Sequence, residues 1–385
     1  MAGLAERQTH PADSFWTWRE LMYRFAGRIN PDAQYAIAAQ LYVEMLEAGF
    51  TRVCEFHYLH HQPGGQPYAE PAAMAQALIA AARDTGIGLT LLPVLYMTGG
   101  FDGRPLSERQ RRFGHGVADF LALVETLRRQ ENETLRIGIA LHSLRAVPPE
   151  AMAQVLAAVE VAMPVHIHIA EQIAEVEECL ALRGARPVEW LLANAPVNER
   201  WTLVHATHLL PTEIDGIARS KAVVALCPTT EANLGDGLFP LREFIAAGGR
   251  FGIGSDSNVS VSPVEELRWL EYGQRLATRQ RNIASTDVHA SAGESLYAAA
   301  VHGGLQSCGQ TAASQDRIVL ETDSALLAGV TPDDLHDRYV FAGNRSLVRE
   351  VHVGDRQVVQ AGRHAEAEAV ARRYRDTVRK LLADS

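Results

Sequence analysis

The sequence has few cysteines, no excess of basic residues and no long apolar run, and each shortage argues against a class of protein. Four cysteines occur in 385 residues and none belongs to a CxxC pair, which argues against a disulfide framework and favours a reducing cytoplasm. Acidic residues outnumber basic ones, 46 to 36, whereas proteins that bind nucleic acids carry basic patches. No apolar stretch approaches the length of a membrane span, and the first residues do not resemble a signal peptide.

Three common nucleotide and hydrolase motifs are also missing. No GxSxG, GxxxxGK[ST] or GxGxxG sequence follows a predicted strand. The usual support for a serine hydrolase, a kinase or a dinucleotide-dependent enzyme is therefore lacking.

Short apolar runs alternate with longer amphipathic stretches along most of the chain. This alternation predicts parallel strands joined by crossover helices. The predicted strands are Thr51–His57, Gly88–Tyr96, Leu135–His142, Pro164–Ala170, Trp201–Ala206, Ala222–Cys227 and Arg250–Ser255. The predicted helices are Pro31–Ala48, Pro71–Thr85, Glu108–Arg129, Pro149–Ala158, Ile173–Leu182, Thr212–Arg219, Leu241–Ala247 and Pro263–Arg281.

The pattern predicts an α/β fold of the (β/α)8 TIM-barrel type, although only seven strands are visible where a closed barrel needs eight. An open doubly wound sheet is the structural alternative. We expect the barrel to occupy residues 1–310 and a small β/α appendage to occupy 311–385. The appendage is predicted to contain a hairpin, Glu350–Val353 with Gln357–Gln360, and a terminal helix at Ala365–Ala383.

The predicted strand ends are unusually polar, which matters because barrel active sites lie at the carboxyl ends of the strands. His166 and His168 are two positions apart on one predicted strand and so point the same way. Glu171 follows just after the end of that strand. A histidine with a carboxylate three residues later suits a metal ligand beside a general acid or base. Two packed core histidines are the alternative reading.

Other strand ends repeat this chemistry. His205 closes one run, Asp256 follows another, and His142 with Arg145 follows a third. An aspartate in such a place can also be a helix N-cap. Histidine and carboxylate ligands without thiolate predict one divalent ion, zinc or a similar metal, in an open catalytic site.

This set of strand ends resembles the amidohydrolase superfamily and, within it, the formimidoylglutamate deiminases of histidine degradation. The resemblance covers roughly Asp13 to Arg275. The stretches that carry it are DSFWTWRELMYR (13–24), EFHYLHH (55–61), LLPVLY (91–96), HSLRAV (142–147), VHIHIAEQ (165–172), LVHATH (203–208), TEANLGDG (230–237) and GIGSDSNVSVSPVEELRWLEYGQR (252–275).

The resemblance implies roles for four strand-end residues in a metal-dependent hydrolysis. His168 and Asp256 would ligate the metal, and Asp256 would also accept a proton from water. Glu171 would carry a proton to the departing nitrogen. His205 would orient the water and stabilise the developing charge.

The implied substrate is N-formimino-L-glutamate, a small molecule with two carboxylates. Arg19, Tyr58, His142 and Arg145 would hold it, since an arginine fork can donate two parallel hydrogen bonds to a carboxylate. Arg19 could equally form a surface ion pair, and Tyr58 could serve only in packing. A homodimer is expected from the superfamily alone.

The sequence departs from the superfamily pattern at its beginning. The family has a strand with an HxH metal-ligand pair just before a stretch like Met1–Glu6, and the 385 residues lack that pair and strand. We therefore expect this exact chain to bind metal weakly and to fold marginally. Two further readings stay open: another amidohydrolase that acts on a cyclic base or guanidine compound, and an inactive form.

Overall fold

The computed structural model describes residues 3, 6, 22–310 and 315–383. A curled, parallel sheet dominates these residues. Its strands are β1 (Arg52–His57), β2 (Gly88–Leu95), β3 (Leu135–Ile137), β4 (Ile139–Ser143), β5 (Val165–Ile169), β6 (Trp201–His205), β7 (Val223–Leu226) and β8 (Arg250–Ile253).

The strand order is β1-β2-β4-β5-β6-β7-β8, with β3 also paired to β2. Because β3 and β4 are two halves of one predicted strand, the predicted barrel-type sheet of seven strands is confirmed, and the doubly wound alternative is wrong. No strand of the described ranges pairs with the outer edge of β1 or of β8. Among the residues that the structure describes, the sheet is therefore open between these two edges.

The strands form where apolar residues run without interruption, as expected of strands covered on both faces. All eight residues of β2 and all five of β6 are buried. The break between β3 and β4 falls at Gly138. A Cβ at that position would lie 2.7 Å from Leu92 Cδ2 and 2.9 Å from the Pro164 carbonyl oxygen, so only glycine fits there.

Helices cover the sheet. They are α1 (Pro31–Ala48), α2 (Ala73–Thr85), α3 (Val117–Arg128), α4 (Pro149–Ala158), α5 (Ile173–Arg183), α6 (Pro187–Asn194), α7 (Pro211–Ser220), α8 (Pro228–Leu234), α9 (Leu241–Ala246), α10 (Pro263–Thr278), α11 (Ala292–Ser307), α12 (Leu335–Phe341) and α13 (Ala367–Ala383). None of the helices in the described ranges is long and apolar enough to cross a membrane.

Helix α1 shows how local sequence sets the boundaries. Asn30 caps its start by accepting a hydrogen bond from the Ala33 N–H at 2.9 Å, and Pro31 occupies the first turn. Gly49 ends the helix in the left-handed conformation, with φ of 103°. These are the residue types that favour a helix start and stop.

The prediction of one helix over Glu108–Arg129 was wrong. The structure has a 3₁₀ helix at Glu108–Phe113, a short link, and then α3. Gly114 and Gly116 flank the link in extended conformations. A Cβ on Gly114 would lie 2.6 Å from Leu106 Cδ1, so close packing of the chain at this glycine accompanies the break.

A small antiparallel sheet follows the barrel, in the order β12-β11-β10-β9. Its strands are β9 (Arg317–Leu320), β10 (Val348–Val353), β11 (Arg356–Gln360) and β12 (Arg363–His364). The predicted hairpin and terminal helix are confirmed, whereas β9, β12, α11 and α12 had not been predicted. The division of the chain at residues 310 and 311 stays a prediction.

The end of α11 lies beneath the parallel sheet and contacts inward-facing side chains of three strands. The Ser307 carbonyl oxygen lies 3.0 Å from His166 Nε2, and its hydroxyl lies 3.1 Å from Thr202 Oγ1. The Thr90 hydroxyl donates to the Cys308 carbonyl oxygen at 3.1 Å. Because His166 is one layer below His168 on β5, α11 forms the floor of the cleft that opens above.

Candidate active site

The exits of three strands have a backbone conformation that is uncommon for residues other than glycine. Ala170 follows β5 with φ of 52°, His205 and Ala206 end β6 with φ of 67° and 48°, and Asp256 follows β8 with φ of 44°. Such conformations cost about 1–3 kcal/mol each and concentrate at functional sites. They turn the chain sharply, so that polar side chains just past the strands reach one cleft.

His205 lies between two carboxylates at the centre of this cleft. Its Nε2 is 3.7 Å from Glu171 Oε1, and its Nδ1 is 3.3 Å from Glu231 Oε1. Burial alone would lower the pKa of His205, but Glu171, Glu231 and Asp256 outweigh it and raise this pKa to about 10. The three carboxylates therefore favour the protonated form of this ring.

The carboxylates of the cleft crowd one another. Burial raises the pKa of both Glu171 and Asp256, the negative charge of Glu231 raises each further, and His205 opposes the change. A cluster of buried carboxylates with raised pKa values is a site in which a cation would be stabilised.

His168 is oriented as a metal ligand would be. Its Nδ1 lies 3.1 Å from the His142 carbonyl oxygen, which fixes a proton on Nδ1 and leaves the Nε2 lone pair available. Burial, and then the charge of His205, lower the pKa of His168 to about 3, so the ring is neutral. Together with Asp256 in the same cleft, it fits a divalent ion.

A second group of donor atoms lies nearby but is arranged differently. Atoms of His205, Cys227 and Glu231 lie within 4.8 Å of one another. Within this group, Glu231 Oε1 accepts hydrogen bonds from His205 Nδ1 at 3.3 Å and from the Cys227 N–H at 3.0 Å. We therefore interpret this group as a hydrogen-bonded support for His205.

The residues predicted to hold the substrate lie in the same cleft, which has a volume of about 1700 Å³. Tyr58, His142 and Arg145 line it together with the catalytic candidates. Arg145 is half-buried, and its positive charge lies near enough to Glu171 and Glu175 to oppose the rise of their pKa values, so its guanidinium provides a cation in the cleft. Arg19 lies outside the described residues. The roles assigned to all these side chains stay predictions.

Sequence reasoning missed three acidic residues of the site. Glu231 bonds to His205, Glu175 accepts from the Glu171 N–H at 3.1 Å, and Asp236 contacts Gln172. Burial raises the pKa of Glu175 to about 7 and that of Asp236 to about 8. The TEANLGDG stretch contained two of them, but no strand end pointed to them because Glu231 lies within α8 and Asp236 follows that helix.

The histidines of the EFHYLHH stretch lie apart from the catalytic cluster. His57, His60, His115 and His61 form a row, with successive ring centroids 4.8, 4.4 and 4.6 Å apart. Only His57 among them lines the cleft. Burial is the main cause that lowers the pKa of His57 to about 3 and that of His115 to about 4, and it also lowers the pKa of His60.

Comparison with known proteins gives matches along almost the whole chain. Residues 1–309 match the model of the amidohydrolase family. The formimidoylglutamate deiminase of Pseudomonas aeruginosa is 52% identical over an alignment that covers 99% of this chain and 86% of that protein. A 5-methylthioadenosine/S-adenosylhomocysteine deaminase of Natronomonas pharaonis is 30% identical over 65% of this chain and 61% of its own length.

Solved structures agree with these matches. The crystal structure of an amidohydrolase from Brucella melitensis superposes with a TM-score of 0.95 at 47% identity, covering 99% of this chain and 86% of that one. Atrazine chlorohydrolase from Arthrobacter aurescens TC1, solved in complex with zinc, superposes with a TM-score of 0.80 at 23% identity, over 96% of this chain and 82% of its own. The second likeness concerns the fold alone.

Proposed function

Because the chain belongs to the amidohydrolase family, we propose that it hydrolyses N-formimino-L-glutamate to N-formyl-L-glutamate and ammonia. The observation that carries this proposal is the 52% identity, over 99% of the chain, to the formimidoylglutamate deiminase of Pseudomonas aeruginosa. The cleft supports it independently, since Arg145 can bind a substrate carboxylate and lies in the same cleft as Glu171 and Asp256, which can transfer protons.

In the proposed reaction, water adds to the formimino carbon and the bond from that carbon to the terminal nitrogen breaks. Asp256 accepts a proton from the water, and Glu171 delivers a proton to the departing nitrogen, which leaves as ammonia. The raised pKa of Glu171 suits a group that must both bind and release a proton near neutral pH. The imidazolium of His205 stabilises the negative charge that develops during the addition.

We propose one divalent ion, zinc in the first instance, held by His168 and Asp256. When bound, such an ion supplies Lewis acidity and lowers the pKa of water from about 15.7 to about 7. The orientation of His168, with Nδ1 against the His142 carbonyl oxygen at 3.1 Å, supports this assignment.

Substrate binding is assigned to the cleft wall formed after β1 and β4. Arg145 binds one carboxylate of the substrate, and Tyr58 and His142 line the space beside it. The rings of Tyr58 and His142 meet edge to face with centroids 5.9 Å apart, so each limits the movement of the other. Arg19 is proposed for the second carboxylate. We further propose histidine degradation in the cytoplasm as the setting, and a homodimer as the assembly.

The test measures ammonia and N-formylglutamate released from N-formiminoglutamate by this chain supplied with Zn²⁺. Glu171→Gln is the matched variant, because it keeps the shape of the side chain and removes the proton carrier. We expect equimolar products from the wild type and a loss of about 10²–10⁴-fold in the variant. Deamination of 5′-methylthioadenosine without turnover of N-formiminoglutamate would instead assign the chain to a deaminase of neutral ring compounds.

A further inference from the structure

Glu231 is buried in the site, yet the proposed reaction gives it no proton to carry. Only 4% of its surface is exposed. It lies on α8, within the TEANLGDG stretch that the sequence singled out without a role. A buried carboxylate is costly unless its oxygens accept hydrogen bonds, so its partners indicate what it does.

The Oε1 atom of Glu231 accepts two hydrogen bonds. One comes from His205 Nδ1 at 3.3 Å and the other from the Cys227 N–H at 3.0 Å. Because the backbone N–H of Cys227 is fixed at the start of α8, the carboxylate has a rigid anchor on one side. The histidine ring is the group on the other side.

Hydrogen bonds from two of its residues fix the position of helix α8. Thr229 donates both its N–H, at 2.9 Å, and its hydroxyl, at 2.6 Å, to the buried carboxyl group of Glu266. The Thr230 hydroxyl lies 3.1 Å from the Ser255 carbonyl oxygen, next to Asp256. The helix that carries Glu231 is thus tied to α10 and to the exit of β8.

We propose that Glu231 is a positioning residue that fixes the ring of His205, with the Nδ1–H of His205 donated to Glu231 and Nε2 directed at the reacting atoms. This inference rests on the proposed function for its kinetic consequence, but not for its geometry. Without an acceptor at Nδ1, the ring can rotate about its Cβ–Cγ bond and move Nε2 away from Glu171, which lies 3.7 Å from it. A displacement of about 1 Å at a reacting group can cost about 10²-fold in rate.

Two substitutions separate hydrogen bonding from charge. Glu231→Gln keeps an oxygen that can accept from both partners, whereas Glu231→Met keeps the length of the side chain and removes the acceptor. We expect Glu231→Met to lower kcat about 100-fold with KM changed by less than about 3-fold, and Glu231→Gln to recover kcat to within about 10-fold of the wild type. Equal kcat in the wild type and Glu231→Met would overturn the proposal.

A matched control addresses loss of structure. Glu271 is another fully buried carboxylate that accepts backbone hydrogen bonds, from Ile283 and Ala284. Glu271→Met should lower the stability of the chain and leave kcat within about 3-fold. A fall in kcat as large as that of Glu231→Met would mean that general loosening explains the effect, and would overturn the proposal.

Nuclear magnetic resonance of ¹⁵N-histidine-labelled chain gives a readout that needs no turnover. The wild type and Glu231→Gln should show a protected Nδ1 proton for His205, assigned with His205→Gln, and Glu231→Met should lose it. Persistence of that proton in Glu231→Met would overturn the proposal. If the wild type does not hydrolyse N-formiminoglutamate, the proposed function fails, while the proton signal still decides whether Glu231 positions the ring.

Discussion

Two adjacent glycines of α11 should respond in opposite ways to the same substitution. A Cβ on Gly303 would lie 1.9 Å from the Phe251 carbonyl oxygen and 2.3 Å from its carbonyl carbon, both in the backbone of β8. A Cβ on Gly304 would meet no atom within 4 Å. Because backbone atoms cannot swing aside as a side chain can, Gly303→Ala must push α11 away from the sheet.

The magnitude follows from two opposing terms. Replacing a glycine by alanine inside a helix stabilises it by about 0.5–1 kcal/mol, and this gain applies to both positions. Overpacking typically costs about 1–3 kcal/mol, and it applies only to Gly303→Ala. We therefore expect Gly304→Ala to be more stable than the wild type by about 0.5–1 kcal/mol. Gly303→Ala should be less stable than Gly304→Ala by about 1–3 kcal/mol.

Urea unfolding followed by circular dichroism measures this difference. The midpoint should fall for Gly303→Ala and stay or rise for Gly304→Ala, with similar slopes, because similar slopes mean that similar surface is exposed on unfolding. Equal midpoints for the two variants would refute the close contact between α11 and β8.

Three further predictions concern the cleft, a buried acid and the C-terminal sheet. Arg145→Met should raise KM for N-formiminoglutamate at least about 10-fold, measured by ammonia release, because a hydrogen bond to a charged group contributes about 1.5–3 kcal/mol. Burial raises the pKa of Glu266 to about 8. The folded state therefore keeps a proton that the unfolded state loses above about pH 4.3. The wild type therefore loses unfolding free energy as the pH rises from about 4.3 to about 8, by up to about 1.4 kcal/mol per pH unit. Glu266→Gln carries no such proton, so unfolding curves at pH 5 to 8 should show its stability rising relative to that of the wild type. Asp316→Ala should lower the unfolding free energy by about 3–5 kcal/mol. The substitution removes the carboxylate that lies 2.8 Å from Arg52, a side chain only 17% exposed. The matched control is Asp84→Ala at an exposed position, which should cost less than about 1 kcal/mol.

The strands of the parallel sheet could be predicted because a run of apolar residues in the local sequence indicates a buried strand. The runs around β2 and β6 are apolar on both faces, and the structure places their limits within one residue of the prediction. The convergence of His168, His205 and Asp256 was also predictable, since the carboxyl ends of neighbouring parallel strands lie at the same edge.

Other features depend on contacts between distant parts of the chain. The helix predicted over Glu108–Arg129 is interrupted at Gly114, which packs closely against Leu106. The helical pattern of apolar residues in the sequence does not indicate such a contact. Helix α8 has only seven residues, too few for a periodic pattern, so the place of Glu231 beside His205 could not be read from spacing. The position of α11 beneath the sheet depends on the glycines that meet β8, and their partner is about 50 positions away in sequence.

The attachment of the C-terminal sheet has a consequence for the cooperativity of unfolding. The small sheet is tied to β1 by Asp316 with Arg52 and to α1 by the His364 N–H, which donates to Glu47 at 2.9 Å. The floor of the cleft is held separately, by the contacts of Ser307 with β5 and β6. The small sheet can therefore open without loss of the contacts beneath β5. Amide hydrogens of β10 should consequently exchange with solvent before those of β5.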